Sequence, residues 1–218
     1  MKRNENEKNA VNAAFDRLAH IIKKAIAVRN TTQNDLAKID KSDGLTDAYK
    51  AELKRPVQAA HDQVWGELWE EYGEDVESLG KALAAWHGGL ALDDPALANA
   101  LKMIELGGSN LSTETILAIN GQFVGQQPML RALQSVYKAK GVVYDGGLDK
   151  QIYDLEPALE SLNEWGYATF YRDGTLNSLA NAVAKLARME GVDFNPTPDE
   201  AGFIETIRKG AGLTGGEA

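Results

Sequence analysis

The chain contains no cysteine, which excludes a disulfide framework, a thiolate nucleophile and thiolate metal sites. Histidine is scarce, with His20, His61 and His87 the only three. None lies three or four residues from another, so one helix cannot present a two-histidine zinc face. No run of about 18 apolar residues occurs, and the opening "MKRNENEKN" has no apolar centre, so neither a membrane span nor an export signal is expected. The expected setting is therefore soluble and not secreted. A net charge of −9 and a sequence pI near 4.9 oppose broad nucleic-acid binding, which needs clustered Lys and Arg to displace counterions from phosphates.

What is present is ordinary globular material: 44% hydrophobic and 25% charged residues over 218 positions, enough for a core in one domain or two small ones. The charge is uneven. Residues 1–42 carry nine Lys/Arg against five Asp/Glu, and residues 43–80 carry three against ten. Two neighbouring segments of opposite sign joined by a short loop suit an antiparallel helical hairpin.

Periodicity supports that reading. Val11, Phe15, Leu18, Ile22, Ala25, Leu36 and Ile39 recur at alternating steps of four and three, keeping one stripe on one face of a long helix over 8–40. "NTTQN" at 30–34 is the candidate break, because its side chains compete for backbone hydrogen bonds. "DKSDG" at 40–44 is a turn, and Thr46 is the expected N-cap of a second helix. That helix presents Tyr49, Leu53, Val57, Val64 and Leu68, contains Pro56 as an expected kink, and is expected to end at Tyr72-Gly73. A third helix is expected over 74–86, closed by "HGG".

Asp94-Pro95 reads as an N-cap followed by proline at the first helical position, opening a helix striped by Leu97, Leu101 and Ile104. Ser112 caps another, and Pro128 begins the next, with Met129, Leu133, Val136 and Tyr137 on one face. "VVYDGG" at 142–147 is the best candidate for extended structure. Helices are then expected at 148–155, 157–165 and 175–190, the last striped by Leu176, Leu179, Val183 and Leu186. "TPDE" gives Thr197, Pro198 and Glu200 capping roles in a final helix carrying Phe203, Ile204 and Ile207, before a glycine-rich tail. The expected fold is all-α: an N-terminal hairpin with its third helix (1–88), a compact helical bundle (89–209) and a flexible tail (210–218).

Chemistry is thinly represented. "GQFVG" at 121–125 has three residues between its glycines and Gln126 after them, whereas a phosphate loop needs four and then Lys-Ser or Lys-Thr. It reads as a joint with Phe123 and Val124 turned inward and Gln122, Gln126 and Gln127 exposed. The carboxylates of "WGELWEEYGEDVE" (65–77) read as a solvated face that pairs with the basic edge Lys23, Lys24 and Arg29. No catalytic residue, cofactor site or metal site is assigned. An enzyme or small-ligand protein would instead need His61, His87, Asp93 or Asp94 to converge in a pocket. Trp65, Trp69, Tyr72 and Trp86 lie at helical spacing; large aromatics so placed form core or, where exposed, a protein-binding patch.

Two stretches carry a resemblance. "SDGLTDAYKAELKR" (42–55) and "INGQFVGQQPMLRALQSVYKAKGV" (119–142), about a fifth of the chain, resemble patterns in small helical head- and scaffold-associated structural proteins of tailed bacteriophages. The resemblance implies a non-enzymatic virion or assembly protein, a homo-oligomer that also contacts coat or portal-like structural proteins, in the virion or the cytoplasm of a bacterial host. The glycine-punctuated second half departs from a uniformly charged scaffold.

Overall fold

The computed structural model describes residues 2–88, 94–172 and 174–194. Asp93, the expected caps Thr197, Pro198 and Glu200, the final helix and the tail lie outside them. Among the described residues the chain is all-α, with seven α-helices, two short 3-10 turns and no strand. In order they are α1 (Lys2–Asp40), α2 (Asp47–Gly88), α3 (Pro95–Gly107), α4 (Thr113–Gly121), α5 (Gln127–Ala139), α6 (Leu155–Tyr171) and α7 (Leu176–Met189). No described helix is long and apolar enough to cross a membrane.

The caps fall where their side chains predict. Thr46 Oγ1 accepts from the Tyr49 N–H at 3.3 Å, Asp94 Oδ1 from Ala96 at 2.7 Å, and Ser112 Oγ from Thr115 at 3.2 Å. Each satisfies an orphan donor of a first turn, a contribution of about 1 kcal/mol. "NTTQN" does not interrupt α1.

Four expectations need correction. The second and third helices are one: α2 runs through Pro56 and Gly73 for 42 residues. Leu68, Tyr72, Val76, Leu79, Leu83 and Trp86 form one buried stripe across the expected break, and that burial outweighs the roughly 1 kcal/mol a helical glycine costs. Residues 148–155 are not a helix, since only a 3-10 turn forms at Leu148–Lys150. Gln127 claims the backbone there, donating from Nε2 to the Gln151 carbonyl at 3.0 Å and accepting from the Tyr153 N–H at 3.2 Å. The helix expected at 157–165 extends from Leu155 to Tyr171, with Pro157 in its first turn where a missing N–H is harmless. "VVYDGG" is irregular: Gly146 and Gly147 both have positive φ, and the Asp145 carbonyl accepts from Asn120 Nδ2 at 2.7 Å.

The chain divides into two compact units. Unit 1 draws its described residues from 2–15, 77–161 and 183–194. Its core includes Val11, Phe15, Leu83, Ile104, Leu130, Leu133 and Val183, all fully buried, each worth about 1.5–3 kcal/mol relative to exposure. Here α3 packs on α5, and the Tyr137 hydroxyl donates to Asn120 Oδ1 at 3.1 Å.

Unit 2 takes residues 16–76 and 162–182. Its core is Leu18, Ile21, Ile22, Ala25, Leu68, Tyr72, Phe170 and Leu179. Opposite charges hold α1 and α2 antiparallel here: Arg17 Nε lies 2.7 Å from Asp75, Lys24 Nζ 3.0 Å from Glu71, and Lys54 Nζ 2.5 Å from Asp40. From residue 29 to residue 60, on both strands of the hairpin and its turn, no side chain is buried. Leu36, Ile39, Leu53 and Val57 stay half-buried, and Tyr49 is 50% exposed.

Candidate functional site

Two clusters of chemically distinctive side chains stand out, one in each unit. The first, in unit 1, is built on Glu190, whose side chain is fully buried. Its Oε1 accepts from the Tyr153 hydroxyl at 2.7 Å and lies 3.1 Å from His87 Nε2. With Nε2 carrying the proton, both groups donate to one carboxylate oxygen. Lys8 Nζ donates to the Glu190 backbone carbonyl and stands 5.5 Å above the Trp86 ring. The Trp86 Nε1–H donates to the Gly125 carbonyl at 2.9 Å.

Gly125 leaves no room for a side chain: with φ at +77°, a Cβ there would fall 2.4 Å from the Glu190 carbonyl oxygen. Burial pushes the Lys8 ammonium below its ordinary range, opposed by the Glu190 charge. It pushes the Tyr153 phenol up, reinforced by Glu190. The Glu190 oxygen Oε2 is buried with no hydrogen-bond partner among the described residues.

The buried Glu190 Oε1, shared by a tyrosine and a histidine, ties elements together. Helices α1 and α2, the segment before α6 and the end of α7 all meet at Glu190.

Of the described residues proposed for a ligand pocket, only His87 joins this cluster. His61 belongs to unit 2, where its ring stacks on Trp65 at 5.0 Å and its Nδ1 lies 3.2 Å from Asp62. Asp94 is engaged as a cap, and His20 is exposed on α1. No group of three potential metal ligands occurs among the described residues.

Lys8, Tyr153 and Glu190 were not among the residues singled out from sequence. Two had a visible signal. Glu190 continues the series 176, 179, 183, 186 by one step of four, and Lys8 precedes 11, 15, 18, 22 by one step of three. A charge in register with an apolar stripe is a candidate for burial, which is tolerated only with partners.

The second cluster is aromatic. Trp69 on α2 lies 6.2 Å from Tyr167, 5.6 Å from Tyr171 and 5.8 Å from Phe170, all on α6. Trp65 Nε1 donates to the Phe170 carbonyl at 3.0 Å, and the Tyr72 hydroxyl donates to the Leu162 carbonyl at 2.8 Å. Gly166 makes the approach possible, since a Cβ there would meet Tyr72 Cε1 at 2.4 Å.

The four aromatics read as candidate partner contacts thus have different surroundings. Tyr72 and Trp86 are buried, while Trp65 and Trp69 are half-buried. The outer surface of this cluster comes from α6, with Tyr167 45% and Tyr171 56% exposed.

The "GQFVG" joint also departs from expectation on two side chains. Phe123 is buried, but Val124 is 37% exposed, and Gln127 is buried rather than exposed. Of the expected basic edge, Lys24 pairs with Glu71; Asp75 pairs with Arg17, outside that edge, while Glu70 and Glu74 remain exposed.

No protein-family model matches the chain, and neither a curated protein nor a solved structure matches it.

Proposed function

We infer that the chain is a non-enzymatic structural or assembly protein of a phage-type particle, which binds itself and other structural proteins through helical surfaces. The observation that carries this reading is the hairpin segment 29–60, in which two helices and their turn have no buried side chain. Ordering a residue costs about 1–2 kcal/mol of backbone entropy, and a two-helix segment without a buried layer recovers little of it. Its apolar stripe, Leu36, Ile39, Leu53 and Val57, is half of a helical seam. A second helical pair laid against it completes a four-helix arrangement.

The assignment to a phage-type particle, with coat or portal-like partners in a bacterial host, rests on the sequence resemblance at 42–55 and 119–142. The enzyme reading is weaker, because the histidine–carboxylate pair among the described residues of unit 1, His87 and Glu190, has its carboxylate fully buried.

The test is oligomeric state. Light scattering on the purified chain is expected to show a homo-oligomer, and Leu36→Glu with Val57→Glu is expected to reduce it to monomer with unchanged far-ultraviolet circular dichroism. A native chain that is strictly monomeric and ignores candidate coat and portal proteins overturns the reading.

A further inference from the structure

We propose that the aromatic face of α2 and α6 in unit 2 is a second docking surface, separate from the hairpin stripe, and that its occupant is an amphipathic helix of another protein bearing lysine or arginine beside its apolar side. The ring chemistry comes first. Trp69, Tyr167 and Tyr171 form a tile in which Tyr167 and Tyr171 lie 5.4 Å apart and are about half-exposed. Neither phenol hydroxyl has a hydrogen-bond partner among the described residues. Trp and Tyr dominate interface hot spots because they present large apolar area with a polar tip and few torsions to freeze.

Charge then selects the occupant. The stretch of α2 that carries Trp65 and Trp69, residues 62–74, contains five carboxylates and neither lysine nor arginine. Helix α6 carries Glu156, Glu160 and Glu164, again with no basic residue. Glu70, beside Trp69, and Glu164, one turn before Tyr167, are exposed and unpaired among the described residues. The first cation after α6 is Arg172, and its guanidinium lies 5.0 Å over the Tyr167 ring. The Tyr167 face is thus taken by the chain's own cation, and the exposed carboxylates Glu70 and Glu164 are the groups left for a partner's cation. An acidic rim repels phosphate backbones and favours a basic protein segment.

The test titrates a labelled amphipathic helical peptide of leucine and lysine against the full chain by fluorescence anisotropy, beside a matched leucine and glutamate peptide. The lysine peptide is expected to bind at least about tenfold tighter than the glutamate one, and Tyr167→Ala with Tyr171→Ala to weaken it by about tenfold or more. Glu70→Gln with Glu164→Gln is expected to weaken it several-fold, whereas Glu77→Gln with Glu105→Gln, the same charge change on exposed carboxylates elsewhere, leaves it unchanged. Equal loss in the two glutamine pairs reduces the effect to bulk charge and overturns the proposal, as does equal binding of the two peptides or binding of neither. Loss of self-association in the tyrosine variant assigns the face to a second copy and overturns it too. The hairpin variant Leu36→Glu with Val57→Glu is expected to bind the lysine peptide normally, so failure of the oligomer test and failure of this one are separable.

Discussion

Trp86 and Trp69 sit on the same helix, yet they live in opposite chemical settings. Trp86 is 8% exposed, its indole N–H is spent on the Gly125 carbonyl, and a lysine covers its ring. Trp69 is half-buried, makes only ring contacts among the described interactions, and adjoins two half-exposed tyrosines. The difference teaches how α2 is used. Where unit 1 buries polar groups it gathers them around Glu190, whose Oε1 takes two partners while Oε2 has none among the described residues. Where unit 2 gathers rings on α6 it leaves Tyr167, Tyr171 and Glu164 exposed.

The comparison breaks hardest at Glu190. Glu190→Ala removes the acceptor shared by Tyr153 and His87 in a fully buried place, and is expected to cost about 3–5 kcal/mol in urea unfolding. Glu190→Gln, which keeps an acceptor, is expected to cost less. Binding of the lysine peptide to unit 2 is expected to survive both at temperatures where the chain stays folded.

Alkaline titration sharpens the same contrast. Tyr72 and Tyr153 are pushed well up by burial, and Tyr137 is pushed up to about 12 by burial and the Asp145 charge. The fold holds these phenols protonated above the ordinary value of 10.0, so between that value and their folded pKa the native state binds more protons than the unfolded one. Their stabilisation is complete below pH 10 and is lost as pH rises through about 12 for Tyr137. Lys8, held below its ordinary range, acts in the opposite direction beneath 10.5. Denaturation midpoints measured against pH are expected to fall steeply above 10, and a flat profile there contradicts the buried hydroxyl assignments.

Smaller effects separate core from surface within unit 2. Tyr72→Phe deletes the buried bond to Leu162 and is expected to cost about 1 kcal/mol. Tyr171→Ala removes a ring that is more than half exposed, and is expected to change stability by no more than about 0.5 kcal/mol while weakening peptide binding. Smallest of all is the Lys24–Glu71 pair, with side chains 28% and 43% exposed. A double-mutant cycle there is expected to give a coupling of about 0.2–1 kcal/mol that fades with added salt.

Much of the fold was legible because its signals are local. The caps at Thr46, Asp94 and Ser112 and the stripe at 176, 179, 183 and 186 depend on neighbours within a turn or two. The failures were contests between local and distant forces. Gly73 looked like a stop, but Tyr72 and Val76 on either side of it are buried. Residues 148–155 looked helical, but the Gln127 side chain takes backbone groups at Gln151 and Tyr153. The aromatic series was visible in α2 alone, whereas its exposed half, Tyr167 and Tyr171, lies about a hundred residues further along the chain.

The sequence by itself determined an all-helical chain, the sign of the charge on each arm of the hairpin, and the caps that start the helices, because period and capping are properties of adjacent residues. Only the tertiary structure decided which rings face outward and which charges are buried. Glu190 meets His87 and Tyr153, and Trp69 meets Tyr171, across separations of 37 to 103 residues, and no local pattern encodes a meeting made by packing.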